Sequence, residues 1–200
     1  MLYRKPVGGG DETLLLTSRG TGSEGAWPYS WSPDGRFVLY FTWDGSGDLW
    51  MVSVEGDHKT AVYLNSEFTE REGSFSHDGR WVAYVSNASG RNEVYLREVA
   101  AAGSAVGGSR VSSDGGNEPH WREDSKQLLY RAGRNIMSVD ITTVPAFRAG
   151  SPAMLFQLPL GADDWDVTAD GKRFLVAVPL AQNTPQPFTV VLNWQGMLKK

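Results

Sequence analysis

The stretch WSPDGRFVLY (31–40) returns as FSHDGRWVAY (75–84), WREDSKQLLY (121–130) and VTADGKRFLV (167–176). The anchoring residues Asp34, Asp78, Asp124 and Asp170 lie 44, 46 and 46 residues apart. A repeat of this length is one supersecondary unit that stacks on its neighbours to bury its apolar faces, and a period of about 40–45 residues suits a four-stranded propeller blade. No other property of the chain narrows its fold as sharply.

Within each unit, short strands alternate with turn residues. Strand a ends three residues before the Asp, at Trp31, Phe75, Trp121 and Val167. An Asp-Gly corner reverses the chain, because Gly accepts positive φ and Asp bonds its own turn backbone; Asp124-Ser125 is a weaker variant. Strand b follows as RFVLYFT, RWVAYVS, KQLLYRA and KRFLVAV. Strand c reads LWMVSV, VYLREV and IMSVDI, and strand d reads TAVYLN, SRVSS and AMLFQL. MLYRKPV (1–7) aligns with strand c and ETLLLTS (12–18) with strand d, while PFTVVLNW (187–194) reads as a last strand c. The expected domain is an all-β propeller over 1–195, with blades near 1–18, 26–66, 70–113, 117–158 and 162–195 and a tail over 196–200. That is a half blade, three full blades and a three-stranded blade. Six or more blades need roughly 260 residues at about 44 each, so the expectation is the C-terminal part of a longer propeller.

Composition excludes several classes. The net charge of −4 argues against a nucleic-acid or anionic-membrane surface. No apolar run reaches the roughly 20 residues that span a bilayer, so no membrane insertion is expected of this segment. With no cysteine, disulfides, thiolate catalysis and Cys-based metal sites are absent, and no compartment is selected.

The corner residues resemble the TolB-like, WD-like propeller repeats common in bacteria, whose signature is aromatic-Ser-Pro-Asp-Gly followed by a hydrophobic strand. Trp31-Ser32-Pro33-Asp34-Gly35 matches fully, and Phe75-Ser76-His77-Asp78-Gly79 departs only at His77. Trp121 and Asp124 are kept in the third copy and Asp170-Gly171 in the fourth. The ending FTVVLNWQGMLKK resembles the C-terminus of propellers appended to bacterial Ser/Thr kinases and winged-helix regulators. The resemblance implies a sensory or interaction module, extracytoplasmic in setting, that meets a protein or small ligand on its face. A shared fold does not carry a shared site, so function is argued from the residues.

Most motifs that could carry chemistry dissolve on inspection. GTGSEG (20–25) matches G-x-G-x-x-G but leads into AWPYSWSPDG, a strand, where a dinucleotide site needs a helix. DGSGDLWMVSVE (44–55) spaces Asp44, Ser46, Asp48 and Glu55 like a calcium loop, yet Leu49 stands where the turn needs Gly and 49–54 reads as a strand. The nucleophile elbow of prolyl oligopeptidases, which carry a similar propeller, is missing, as are Walker A and H-E-x-x-H. His58, His77 and His120 fall in different repeats, which argues against zinc and against a metal-dependent lyase or lactonase. The sequon Asn87-Ala88-Ser89 lies in a hairpin and is incidental. Trp31, Phe75 and Trp121 recur at the repeat period, as do Tyr40, Tyr84 and Tyr130, which means blade packing. No cofactor or catalytic residue is expected.

One constellation emerges from the alignment. Six residues before the anchoring Asp stand Pro28, Glu72, Glu118 and Asp164. Strand a lies nearest a propeller axis, so equivalent positions converge on the central channel. Glu72, Glu118 and Asp164, with Arg71, Asn117 and Asp163 beside them, are the candidates for a cation or amine site at the channel mouth. Solvated loop residues with no ligand are the other reading. The expected function is a non-enzymatic binding propeller, with a substrate-gating propeller of a larger peptidase or kinase as the alternative.

Overall fold

A computed structural model describes residues 1–17, 25–43, 47–99, 108–143 and 146–179. All of its regular elements are strands. β1 (Leu2–Arg4) and β2 (Thr13–Leu16) form an antiparallel pair. The first full blade runs β3 (Trp27–Trp31), β4 (Phe37–Thr42), β5 (Asp48–Ser53) and β6 (Thr60–Leu64), paired in chain order. The second runs β7 (Glu70–Phe75), β8 (Trp81–Ser86), β9 (Glu93–Glu98) and β10 (Ser109–Arg110). The third contains β11 (Asn117–Trp121), β12 (Gln127–Ala132) and β13 (Asn135–Thr142), with β13 pairing both β14 (Arg148–Ala149) and β15 (Ala153–Gln157). β16 (Asp164–Val167) and β17 (Phe174–Ala177) pair as a hairpin. The propeller architecture expected from the repeat is the one observed. β14 is an addition that the repeat pattern did not contain. The expected strand over 187–194 and the tail lie outside the described residues.

The second strands of the three full blades, β4, β8 and β12, are buried on both faces, which is why they read as continuous apolar runs. On β4, Val38 and Tyr40 pack with Leu15 of the first hairpin, whereas Leu39 and Phe41 pack with Phe75, Val82 and Tyr84 of the second blade. On β8, Ala83 and Val85 turn the other way and meet Trp121, Leu128 and Tyr130. Leu129 of β12 then packs on Ala162 and Trp165. The core is thus a series of seams, one between each blade and the next. Gly73 allows one such seam to close, since a Cβ there would lie 2.2 Å from Leu39 Cδ2.

The corner has one construction in the first, second and fourth copies and a variant in the third. Ser32 Oγ donates to Asp34 Oδ1 at 2.7 Å and accepts Phe37 N–H at 2.9 Å, while Asp34 Oδ1 also accepts Arg36 N–H at 3.0 Å. Ser76 and Asp78 repeat this with Trp81 and Arg80, and Thr168 and Asp170 with Arg173 and Lys172. In the third copy Arg122 replaces the hydroxyl and grips Asp124 at 3.0 and 2.5 Å, which lowers that carboxyl to about 2. Gly35, Gly79 and Gly171 take the positive φ, and Ser125 takes it at 56°. These carboxylates are occupied by their own turns.

The recurring aromatic is not equally buried. Trp121 is 5% exposed and its indole donates to Ser74 O of the preceding blade at 3.1 Å, whereas Trp31 is 49% exposed and donates to its own turn at Gly35 O. Trp121→Ala is therefore expected to cost about 3–5 kcal/mol and Trp31→Ala about 1 kcal/mol. Denaturant unfolding of the two variants measures the difference, and equal losses would contradict the seam assignment.

Candidate functional site

The inner strands β3, β7 and β11 each carry a bulge at the same place, between Pro28 and Ser30, Arg71 and Ser74, and Asn117 and His120. The bulge holds Glu72 and Glu118 at φ 54°, a left-handed conformation unusual for a long side chain. It also turns a peptide N–H out of the ladder, and the preceding blade receives it. The Glu118 N–H donates to Glu72 Oε2 at 2.6 Å, and the Glu72 N–H points to the phenol oxygen of Tyr29. Two of the three expected acids are thus joined across a seam. β16 has no bulge; Asp164 pairs in a regular ladder with Ala177 and its carboxylate accepts Trp165 N–H at 2.8 Å.

Arginines answer the acids. Arg71 Nη1 lies 3.4 Å from Glu72 Oε1, and its other nitrogen donates to Asn117 Oδ1 at 3.3 Å. Arg131 Nη1 lies 3.6 Å from Glu118 Oε1 and also reaches the Ala162 and Asp163 carbonyls. Burial raises the Glu118 carboxyl above its ordinary range, Arg131 opposes the rise, and the charges of Glu72 and Asp164 add to it. Glu118 therefore feels both Glu72 and Asp164. Glu72, Arg71, Glu118 and Arg131 form a belt of acid and arginine across the inner strands, with one of its carboxylates also joining two blades.

Three exposed rings border the belt on the first blade. Trp27, Tyr29 and Trp43 surround buried Phe41 at centroid distances of 5.8, 6.2 and 5.0 Å. Gly47 fits under them at φ 98°, where a Cβ would touch Phe41 and Trp43 at 3.0 and 3.1 Å. In the second blade the positions of these three residues hold Arg71, Gly73 and Asn87, so the ring group is specific to one blade. The repeat-based reading passed over it because it does not recur.

The remaining sequence candidates separate. Asp48 is buried at the start of β5, while Glu55 is exposed and paired with Arg4 at 2.6 Å; residues 44 and 46 lie outside the described set, as do all of 20–24. His58 sits at φ 49° near Ser53 O. His77 and His120, which the sequence placed in unrelated parts, line one cavity of about 370 Å³ with Trp31, Ser74 and Trp121 on the corner side of the inner strands. Among the described residues no group of three His, Asp or Glu side chains is placed to hold a metal ion.

No protein-family model matches the chain and no curated protein matches it. Its fold matches solved structures. TolB from Acinetobacter baumannii aligns at 18% identity and TM-score 0.67, over 90% of this chain and 43% of that one. A protein assigned as TolB from Agrobacterium tumefaciens aligns at 20% identity and TM-score 0.61, over 78% and 56%. The periplasmic gluconolactonase of Pseudomonas aeruginosa aligns at 16% identity and TM-score 0.51, over 74% and 49%. The chain thus spans about half the length of these proteins and shares the TolB-like propeller fold.

His120 gives the channel a titration that can be read. Its ring packs 4.5 Å from Trp165, and burial lowers its pKa below the ordinary 6.5 although Asp166, 3.7 Å away, and Asp164 pull it upward. A base with a depressed folded pKa contributes stability above its unfolded pKa and loses it as pH falls. Proton NMR is expected to place His120 below about 6.5, with the acid-side loss of stability reduced in His120→Gln. A His120 titrating above that value would mean that Asp166 dominates.

Proposed function

We propose that this chain is a non-enzymatic binding propeller that meets a basic segment of a partner protein at its channel mouth. The observation that carries the reading is the exposed, blade-specific group Trp27, Tyr29 and Trp43 standing beside Glu72 and Arg71. Exposed aromatics next to satisfied charges are the composition of interaction hot spots. The acids Glu72 and Glu118 beside these rings are the charges that would meet a cationic segment. The fold neighbours include a TolB protein and a gluconolactonase, and the propeller by itself selects neither binding nor catalysis.

The setting is that of a sensory or interaction part of a larger bacterial protein, extracytoplasmic by resemblance. A second reading, a substrate gate for a catalytic domain outside this chain, draws on the cavity around Trp31, His77 and His120.

Titration with a Lys/Arg-rich peptide is expected to quench tryptophan emission, with affinity falling at least about tenfold, some 1.4 kcal/mol, in Glu72→Gln/Glu118→Gln. Glutamine keeps the inter-blade acceptor, so the double variant should still fold. Absence of binding, or equal binding by the double variant, contradicts the proposal.

A further inference from the structure

Glu70 opens β7 as a buried acid where the other blades have none. The equivalent residues, eight before the anchoring Asp, are Ala26, Gly116 and Ala162. At Gly116 a Cβ would lie 2.8 Å from Ser112 Oγ, so this position is ordinarily tight. Glu70 is nonetheless 3% exposed. Its Oε1 accepts Ser66 Oγ at 2.6 Å and lies 3.4 Å from Ser86 Oγ, and its N–H donates to Gly47 O of the preceding blade at 3.0 Å. Its Oε2 is buried and has no hydrogen-bond partner among the described residues.

Across the seam stands a second buried carboxylate. Asp48, 1% exposed, opens β5 opposite Thr42 and accepts Asn65 Nδ2 at 2.8 Å. Thr42 Oγ1 is also buried and without a partner among the described residues. An acid also opens the third strand of the second blade, where Glu93 is fully engaged by Arg91, Ser112 and Gly115 N–H; the third blade has Asn135 there. Glu70 does not belong to the repeat. An unmatched buried carboxylate costs several kcal/mol unless it is neutralised. Arg97, stacked over Tyr63, is the positive charge that acts on Glu70. Burial pushes the Glu70 carboxyl upward; Ser66 and Ser86 oppose the rise, the Asp48 charge adds to it, and Arg97 opposes it.

We infer that Glu70, Asp48 and Thr42 form a cation site in the seam between the first and second full blades, taking a hard divalent cation of the calcium class. Every donor is oxygen, two are carboxylates, and sulfur and imidazole are absent from the set, which suits calcium over zinc or copper. The bound ion couples two blades beneath the proposed binding face. The site does not require that the face bind a basic segment.

Calcium binding to the intact chain, measured by equilibrium dialysis after removal of metals with EDTA, is expected to saturate at one ion per chain and to raise the unfolding temperature. Glu70→Gln is expected to fold, to be at least as stable as wild type in EDTA, and to weaken calcium binding at least about tenfold, some 1.4 kcal/mol. Glu70→Ala, which installs the residue of two other blades, should behave alike. No calcium uptake at millimolar concentration, or undiminished uptake by both variants, overturns the site. Wild-type stability that responds to pH but not to calcium also overturns it, and shows the two acids to share a proton instead.

Discussion

Each full blade of this chain is covered on both faces by its neighbours, and the rest of the structure depends on that stacking. A single twisted sheet of four short strands has two apolar sides and cannot bury either alone. Val38 and Tyr40 serve one seam while Leu39 and Phe41 serve the next, and the same alternation runs through the second strands of the following blades. The seams also carry polar links. Phe75 N–H reaches Ser30 Oγ, Trp121 Nε1 reaches Ser74 O, and the bulge at Glu118 gives its N–H to Glu72. Position within the blade, and not side-chain type, decides what a residue does.

This separates two kinds of acid. Asp34, Asp78, Asp124 and Asp170 tie their own turns, and Glu72 ties one blade to the next. Such residues recur because every blade must turn and stack. Trp27, Tyr29, Trp43 and Glu70 do not recur, and blade construction gives no reason for them. Exposed rings and a buried acid opposite another acid both have a cost in an isolated fold. Their placement around one end of the inner strands is what a binding face resting on rigid elements looks like.

The fold was legible in the sequence because a propeller writes its period into the chain, and an Asp-Gly corner with an apolar strand after it has few other uses. The hydroxyl two residues before each Asp was less visible, since Ser32, Ser76 and Thr168 are ordinary turn residues until their bonds to the corner are seen. The equivalence of Glu72, Glu118 and Asp164 followed from alignment alone. Arg131, which answers Glu118 from the neighbouring strand, did not, because it stands outside the aligned position. The pairing of Glu70 with Asp48 was hidden more deeply. It joins residues of two blades through a seam, and only the fold brings the Glu70 N–H onto Gly47 O, next to Asp48.

The central claim is that Glu72 holds neighbouring blades together by accepting the bulge N–H of Glu118, while ligand recognition combines the charge of this belt with the rings that do not repeat. Amide hydrogen exchange at Glu118 tests it most directly. The account predicts slow exchange in wild type, exchange faster by more than about tenfold in Glu72→Ala, where a bond to a carboxylate is lost, and near-wild-type protection in Glu72→Gln. A Glu118 amide that exchanges equally in wild type and Glu72→Ala would contradict it.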